Sequence, residues 1–452
     1  MRQAQPSIRE ATAAMTGLCT DLYEIRMAAG YLRRGMTLPA TFSLFVRELP
    51  RERGFLVAAG LADCLDFLER LHFDAEDLAY LGDVVHLPEG DLAALAELRF
   101  TGDVLAVPEG RVVFAGEPLL EVTAPLPQAQ LVETALLNFA TFQTAVAAKA
   151  ARCRIAAPHA DLVDFAARRT HGLEAARAVA RASAIAGFAG TSYVAAAREF
   201  GLWAAGTMAH SYVEAFPDER TAFRAFAADF PDAVVFLVDT YDTLHGVRAA
   251  IDVARELPAG SRIGIRLDSG DLGELAVQAR RLLDDAGFPG ARIMASGGLD
   301  EHALAELAAA PIDMFGVGTR MGVSADAPSL DSAYKLVEYG GKPVMKLSVG
   351  KLTAPGAKQV HRGEPGQPDL LALRAEDPPP GREPLLEPAM RGGVRVDQPE
   401  PVQAARRRFE QDLRWLPEPA RRLIGPEPVE VHATPMLLRS AESVRHHLEQ
   451  AL

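Results

Sequence analysis

His210, Asp239, Arg266 and Asp268 are the residues of this chain best suited to chemistry, and each ends or follows a short apolar run. His210 closes the turn Gly206-Thr207-Met208-Ala209-His210-Ser211, in which Thr207 and Ser211 accompany the imidazole. A glycine-led turn can aim backbone N–H groups at an anion. The imidazole could serve there as a base, a phosphate ligand, a nucleophile that accepts a phosphoryl group, or a hydrogen-bonded structural histidine. Asp239 and Asp242 bracket Thr240-Tyr241. A carboxylate beside a histidine fixes its tautomer and raises its basicity, whereas Asp242 is placed to cap the next helix. Arg266 and Asp268 stand two apart on one strand and therefore share a face. An arginine clamps a carboxylate or phosphate, and an aspartate accepts from sugar hydroxyls or holds a metal; a buried ion pair would read the same way.

Two glycine turns complete the set, Ser296-Gly297-Gly298 and Gly316-Val317-Gly318-Thr319. Arg47 and the pair Arg168-Arg169 add positive charge. The same move thus occurs five times between 202 and 319, an apolar run leading into a polar or glycine-rich cluster. The spacing of roughly 20 to 32 residues suits one strand plus one covering helix. An α/β barrel enzyme places such clusters around the C-terminal mouth of its strands, often with phosphate on the last two loops. A mouth holding a histidine, acids, arginines and two glycine cradles favours chemistry on a phosphorylated sugar.

What must position these residues is an α/β fold, a TIM-like α/β barrel with an N-terminal α+β domain completed by the C-terminal tail. At 452 residues the chain exceeds one compact core. We expect an N-terminal domain over 1–127, the barrel over 128–362, and a proline-rich linker with a returning C-terminal segment over 363–452. In the first domain a helix from Thr20 or Asp21, a strand over 42–46, a helix over 57–71 and short strands at 103–107, 111–115 and 118–124 are expected. A long helix over 128–152 links it to the barrel, whose first strand is expected at 162–166, with helices near 174–186 and 191–200. Val344 to Ser348 and Lys351 to Thr353 read as a hairpin, 363–388 as loop, and 402–413 and 438–450 as helices. The lone asparagine, Asn138, is expected to make a buried helix-to-loop hydrogen bond.

Net charge −13 argues against nucleic acid as a partner. No h-region or apolar run of about 18 residues marks a signal peptide or membrane span. Three cysteines without metal-ligand spacing suit a reducing cytoplasm. Lysine is scarce; five of the six, Lys335, Lys342, Lys346, Lys351 and Lys358, fall within 335–358, and Lys149 is the other. A chain that otherwise uses arginine should keep lysine where a compact point charge matters.

Taken in order, Thr20 to Glu24, Phe42 to Pro50, Glu133 to Arg152, Arg168 to Gly172, Gly187 to Ser192, Gly206 to Ser211, Leu237 to Thr243, Arg266 to Leu272, Ser296 to Glu301, Asp326 to Glu338 and Lys346 to Arg362 resemble the nicotinate phosphoribosyltransferase family. The resemblance implies condensation of nicotinate with 5-phosphoribosyl 1-diphosphate, coupled to ATP with magnesium, in NAD salvage. It implies a transiently phosphorylated His210 oriented by Asp239. Tyr23 would stack on the pyridine from the other subunit of a homodimer with shared active sites. Arg266 and Thr207 would meet nicotinate and Asp268 the ribose hydroxyls, with Ser211 and Ser269 beside them. Gly297, Gly298, Gly318 and Thr319 would surround the 5′-phosphate, and Arg47, Arg168, Lys346 and Lys351 would meet diphosphate or phosphoribosyl oxygens. Magnesium ligands are not assigned. Gly298 stands where relatives often carry an acid. Nicotinamide phosphoribosyltransferase, with the same fold and histidine, and an inactive metabolite-binding relative are the alternative readings.

Overall fold

A computed structural model describes residues 17–232, 234–348 and 353–450. The chain divides into two compact units, one of residues 1–145 and 329–452, the other of 146–328. The division falls inside the helix Glu133–Ala156, so 128–145 and 329–362 belong with the N-terminal residues and not with the barrel.

The smaller unit is built on seven parallel strands: β1 (Asp161–Asp164), β2 (Gly190–Thr191), β3 (Trp203–Ala204), β4 (Val234–Leu237), β5 (Ile263–Leu267), β6 (Arg292–Ser296) and β7 (Met314–Val317). Their order across the sheet is β3-β2-β1-β7-β6-β5-β4. That is chain order bent into a ring and broken once, between β3 and β4. Leu162, Val163, Phe236, Leu237, Ile265, Leu267, Ile293, Ala295, Phe315 and Val317 are all buried, as continuous apolar strands covered on both faces require. Helices follow the strands, among them Leu173–Ile185, Thr243–Ala254 and Leu272–Asp285. Aspartates start several of them: Asp218 accepts from Thr221 N, Asp242 from His245 N and Asp271 from Glu274 N. Asp242 thus has the capping role that its position suggested.

The larger unit carries a seven-stranded antiparallel sheet. Its order is Lys342–Pro343, Ser332–Tyr339, Pro39–Val46, Pro118–Pro125, Asp103–Ala106, Glu387–Arg391 and Val394–Arg395. Phe42 stacks on Tyr334 across the first of these pairings with Pro39–Val46, ring centroids 4.8 Å apart. A second sheet orders Glu383–Pro384, Lys358–Arg362, Asp369–Leu373 and Val431–Ala433.

Three expectations change. Residues 363–388 are not a loop, because Asp369–Leu373, Glu383–Pro384 and the start of Glu387–Arg391 are strands. The prolines lie between these short strands or at their edges, where no ladder N–H is needed. The first strand of the expected hairpin, 344–348, is coil, and the ladder ends earlier, where Ser332–Tyr339 turns at Gly340-Gly341, both with positive φ, into Lys342–Pro343. The turn expected after Ser348 and most of the second strand lie outside the described residues. Asn138 is exposed on its helix.

Candidate active site

His210 opens the short helix His210–Glu214 beyond β3, on the side of the ring where β3 and β4 do not pair. Its Nδ1 lies 3.2 Å from Thr240 Oγ1 at the exit of β4, and its Nε2 lies 3.8 Å from Asp268 Oδ2 at the exit of β5. The side chain is 41% exposed. With Nδ1 beside a hydroxyl, Nε2 is the ring nitrogen turned toward the acid.

Asp268 is the centre of the cluster. Its Oδ1 accepts from Ser296 Oγ at 2.5 Å and from Arg266 Nη2 at 3.1 Å. Partial burial pushes this carboxyl upward, but the Ser296 hydrogen bond, the Arg266 guanidinium and His210 outweigh it and hold the group below the usual range. Asp268 is therefore ionised at neutral pH.

Arg266, on β5, spreads its guanidinium over three strand exits. Nε donates to Ser296 Oγ at 2.9 Å, Nη1 to Thr207 Oγ1 at 2.9 Å and to Met208 O at 3.3 Å. Its plane lies over the Phe165 ring, 5.6 Å from the centroid.

Asp239 makes no hydrogen bond to the imidazole. Its Oδ2 accepts from Asp268 N at 2.9 Å and from Ser269 Oγ at 2.6 Å, which braces the backbone that carries Asp268. Its Oδ1 is buried without a hydrogen-bond partner. Thr240, one residue on, makes the imidazole contact instead.

The glycine turns sit next to this cluster. A side chain on Gly297 would put its Cβ 2.2 Å from Asp268 O, and φ there is +99°, so only glycine permits β5 and the turn to approach so closely. Gly298, at φ +66° with nothing near its missing side chain, leaves its backbone open to a ligand. Gly318 approaches Phe165, and Thr319 begins the single turn Thr319–Gly322, exposed. Arg168, in the 3₁₀ turn after β1, and Ser211 are also exposed.

Other expected site residues lie in the larger unit. Tyr23 is half exposed, its phenol raised by partial burial and by Glu133 and Glu24. Arg47 pairs with Asp331 at 2.7 Å, and Lys346 is exposed. Lys351 lies outside the described residues.

Residue types alone did not single out Phe165, Thr240, Ser296 or Asp164. Their signal is positional, since each stands at the end of a strand. Asp164 is buried, accepting from Ala166 N at 2.8 Å and Thr191 Oγ1 at 2.7 Å. Burial nevertheless lifts its carboxyl to about 6.

A family model described as the nicotinate phosphoribosyltransferase N-terminal domain matches residues 18–141, and one described as the nicotinate phosphoribosyltransferase family matches 160–368. The chain is 48% identical over 415 residues to a nicotinate phosphoribosyltransferase of Mycobacterium tuberculosis, covering 90% of this chain and 89% of that protein. It is 46% identical over 358 residues to the nicotinate phosphoribosyltransferase of Bacillus subtilis, covering 76% and 72%. The crystal structure of human nicotinic acid phosphoribosyltransferase superposes with a TM-score of 0.83 at 30% identity, over 94% of this chain and 99% of that one. Similar throughout to these proteins, with the fold and the strand-exit cluster in place, the chain belongs to the nicotinate phosphoribosyltransferase family.

Proposed function

We propose that the chain condenses nicotinate with 5-phosphoribosyl 1-diphosphate to give nicotinate mononucleotide and diphosphate. ATP hydrolysis drives the reaction through a phosphohistidine at His210, as a step of NAD salvage. The observation that carries this reading is the convergence on Asp268, where Arg266, Ser296 and His210 meet from three strand exits.

The Arg266 guanidinium covers the face of Phe165, which backs the arginine, and Tyr23 from the other subunit supplies the aromatic face for the pyridine ring. Four contacts occupy the guanidinium, which has five N–H donors, so one remains for the nicotinate carboxylate. As the C1–O bond to diphosphate breaks, positive charge grows on the ribose, and the pyridine nitrogen supplies the electron pair for the new C1–N bond. The ionised Asp268 stands where it stabilises that charge or accepts from ribose hydroxyls. Arg168 and the glycine turns Gly297-Gly298 and Gly318-Thr319 offer donors to the phosphate groups. For the coupling step, Nε2 of His210 attacks the terminal phosphorus of ATP, an N–P bond forms and ADP leaves with the electrons of the broken P–O bond. Water later cleaves the N–P bond.

Magnesium fits this arrangement as a companion of the diphosphate. Among the described residues no three carboxylate, histidine or thiol groups gather as a preformed metal site. Magnesium needs only one or two carboxylates, with phosphate oxygens and water completing its shell, and the unpartnered Asp239 Oδ1 can serve as one. Bound there, it would neutralise charge on the leaving diphosphate. On the strength of the family likeness we take the protein to act as a cytoplasmic homodimer with shared active sites, to which Tyr23, Arg47, Lys346 and Lys351 contribute.

The guanidinium favours the acid over the amide as acceptor. The test compares nicotinate and nicotinamide, with and without ATP, for the wild type and His210→Ala. Strong preference for nicotinate and loss of ATP stimulation in the variant are expected. Equal use of both bases would overturn the substrate, and stimulation that survives the substitution would overturn the phosphohistidine.

A further inference from the structure

Asp300 and Glu301 follow the first glycine turn, and each is tied to the segment that follows the second. Asp300 Oδ1 caps the helix Glu301–Glu306, accepting from His302 N at 3.1 Å and Ala303 N at 3.0 Å. Its Oδ2 is left for Arg320 Nη1 at 2.5 Å, and Arg320 comes directly after Gly318-Thr319. Glu301 is fully buried and reaches the same segment through a lysine. Lys149 Nζ lies 2.8 Å from Glu301 Oε1 and 2.7 Å from Asp326 Oδ1, and Arg152 Nε also donates to Glu301 Oε1 at 2.8 Å. Two successive acids therefore make two straps between the turns, one direct and partly exposed, one buried.

The buried strap also gives a purpose to the one lysine outside 335–358. An ammonium is a compact charge that can face carboxylates from two segments at once, which a planar fork does less well. Nothing in the proposed chemistry uses Lys149, Glu301, Asp300 or Arg320, yet a ligand cradle tolerates only about 0.5 Å of misplacement between its walls.

We propose that Asp300 and Arg320 are positioning residues that set the spacing of the two glycine turns and thereby the binding of the phosphate end of the phosphoribosyl donor. This rests on the reading of those turns as the phosphate site. Lys149, Glu301 and Asp326 form the fixed base of the same device.

The partly exposed strap allows a test without loss of the core. The full chain is assayed as Asp300→Asn, which keeps a capping oxygen, as Arg320→Met, as the double variant, and as Arg320→Lys. KM for 5-phosphoribosyl 1-diphosphate, kcat and the thermal midpoint are measured. Each of the first two should raise KM about tenfold with kcat within about twofold and little change in the midpoint. The double variant should be no worse than either single, because both remove one contact, and Arg320→Lys should recover part of the loss. Multiplying effects, or Arg320→Met much worse than Asp300→Asn, would show that Arg320 touches the donor itself and would overturn the strap. Gly318→Ala and Thr319→Val run alongside. If they raise KM while the strap variants do not, the strap fails and the phosphate reading stands; if all leave KM unchanged, the phosphate reading fails with it.

Discussion

The molecule holds two arginine–carboxylate clusters of nearly the same composition, and they do opposite things. In the larger unit, Arg362 donates from Nε and Nη2 to Asp369 Oδ2 at 3.1 and 2.8 Å, from Nη1 to Asp412 Oδ2 at 3.0 Å and from Nη2 to Val112 O at 2.8 Å. Trp415 stacks on its guanidinium at 4.3 Å. Arg111 completes the network, with Nε on Asp412 and its fork on Glu383. These contacts fasten the strands Lys358–Arg362 and Asp369–Leu373 and the helix Val402–Trp415 to the N-terminal Val112. A cavity of about 300 Å³ opens beside them, but the guanidiniums along it already face carboxylates. At the barrel mouth Arg266 and Asp268 are also paired, yet Asp268 is 26% exposed and His210 is 41% exposed. The Arg362 side chain is only 3% exposed. Charge that is buried with every guanidinium held against a carboxylate is architecture; charge left partly open to solvent, with a donor to spare, is available to a ligand.

One substitution made in both places separates the two roles. Arg362→Met leaves Asp369 buried without its cation and Asp412 with Arg111 alone, and Glu117, whose carboxyl burial and Asp369 already push well above its usual range, loses a compensating charge. A loss of about 3–5 kcal/mol in denaturant stability is expected, with KM values unchanged for whatever protein folds. A loss under about 1 kcal/mol would mean that the network is not the fastening it resembles.

Asp164 belongs to the mouth by position and to the buried class by environment, and it sharpens the boundary. It keeps its proton up to about pH 6, against 3.8 in the unfolded chain. Between those values the folded state binds more protons than the unfolded one, so stability falls as pH rises from about 4 to about 6 and then levels, by about 3 kcal/mol in all. Asp164→Asn should abolish that slope, leaving the variant more stable than the wild type relative to their difference at pH 4. Denaturant midpoints measured across the interval check it, and parallel curves for the two proteins would remove Asp164 from the buried class.

Arg266→Met is the counterpart at the mouth. It should lower kcat/KM for nicotinate about 100-fold, equivalent to about 2.7 kcal/mol, while the unfolding midpoint moves little. Stability lost in step with activity would erase the contrast with Arg362.

How far the sequence foretold this division depends on pattern length. The exits of β3 to β7 were legible because each follows an apolar run and precedes a polar cluster, and His210, Arg266 and Asp268 stood out by type. β2 was not legible: Gly190–Thr191 is two residues long, and neither is a strong apolar signal. The strands among the prolines of 363–388 were hidden for the same reason, being two to five residues each. Pairing was the hardest to read. Asp239 and Thr240 are neighbours in sequence, and only coordinates show that the threonine faces His210 while the aspartate holds the Asp268 backbone. Ser296 looked like the lead-in to a glycine turn, although its hydroxyl joins Arg266 to Asp268.

That hydroxyl gives the smallest and most diagnostic of the expected effects. Ser296 is buried; its Oγ donates to Asp268 Oδ1 and accepts from Arg266 Nε. Ser296→Ala removes both bonds but leaves both charges, so kcat/KM should fall only about tenfold, or about 1.4 kcal/mol. The Ser296 hydrogen bond is also the largest of the influences that lower the Asp268 carboxyl. Without it that group rises toward the ordinary range, and any acid limb of the pH–rate profile that Asp268 governs should move to higher pH. A purely structural serine would lower the rate evenly at every pH and leave the limb in place, and that result would assign Ser296 to the architecture rather than to the open cluster.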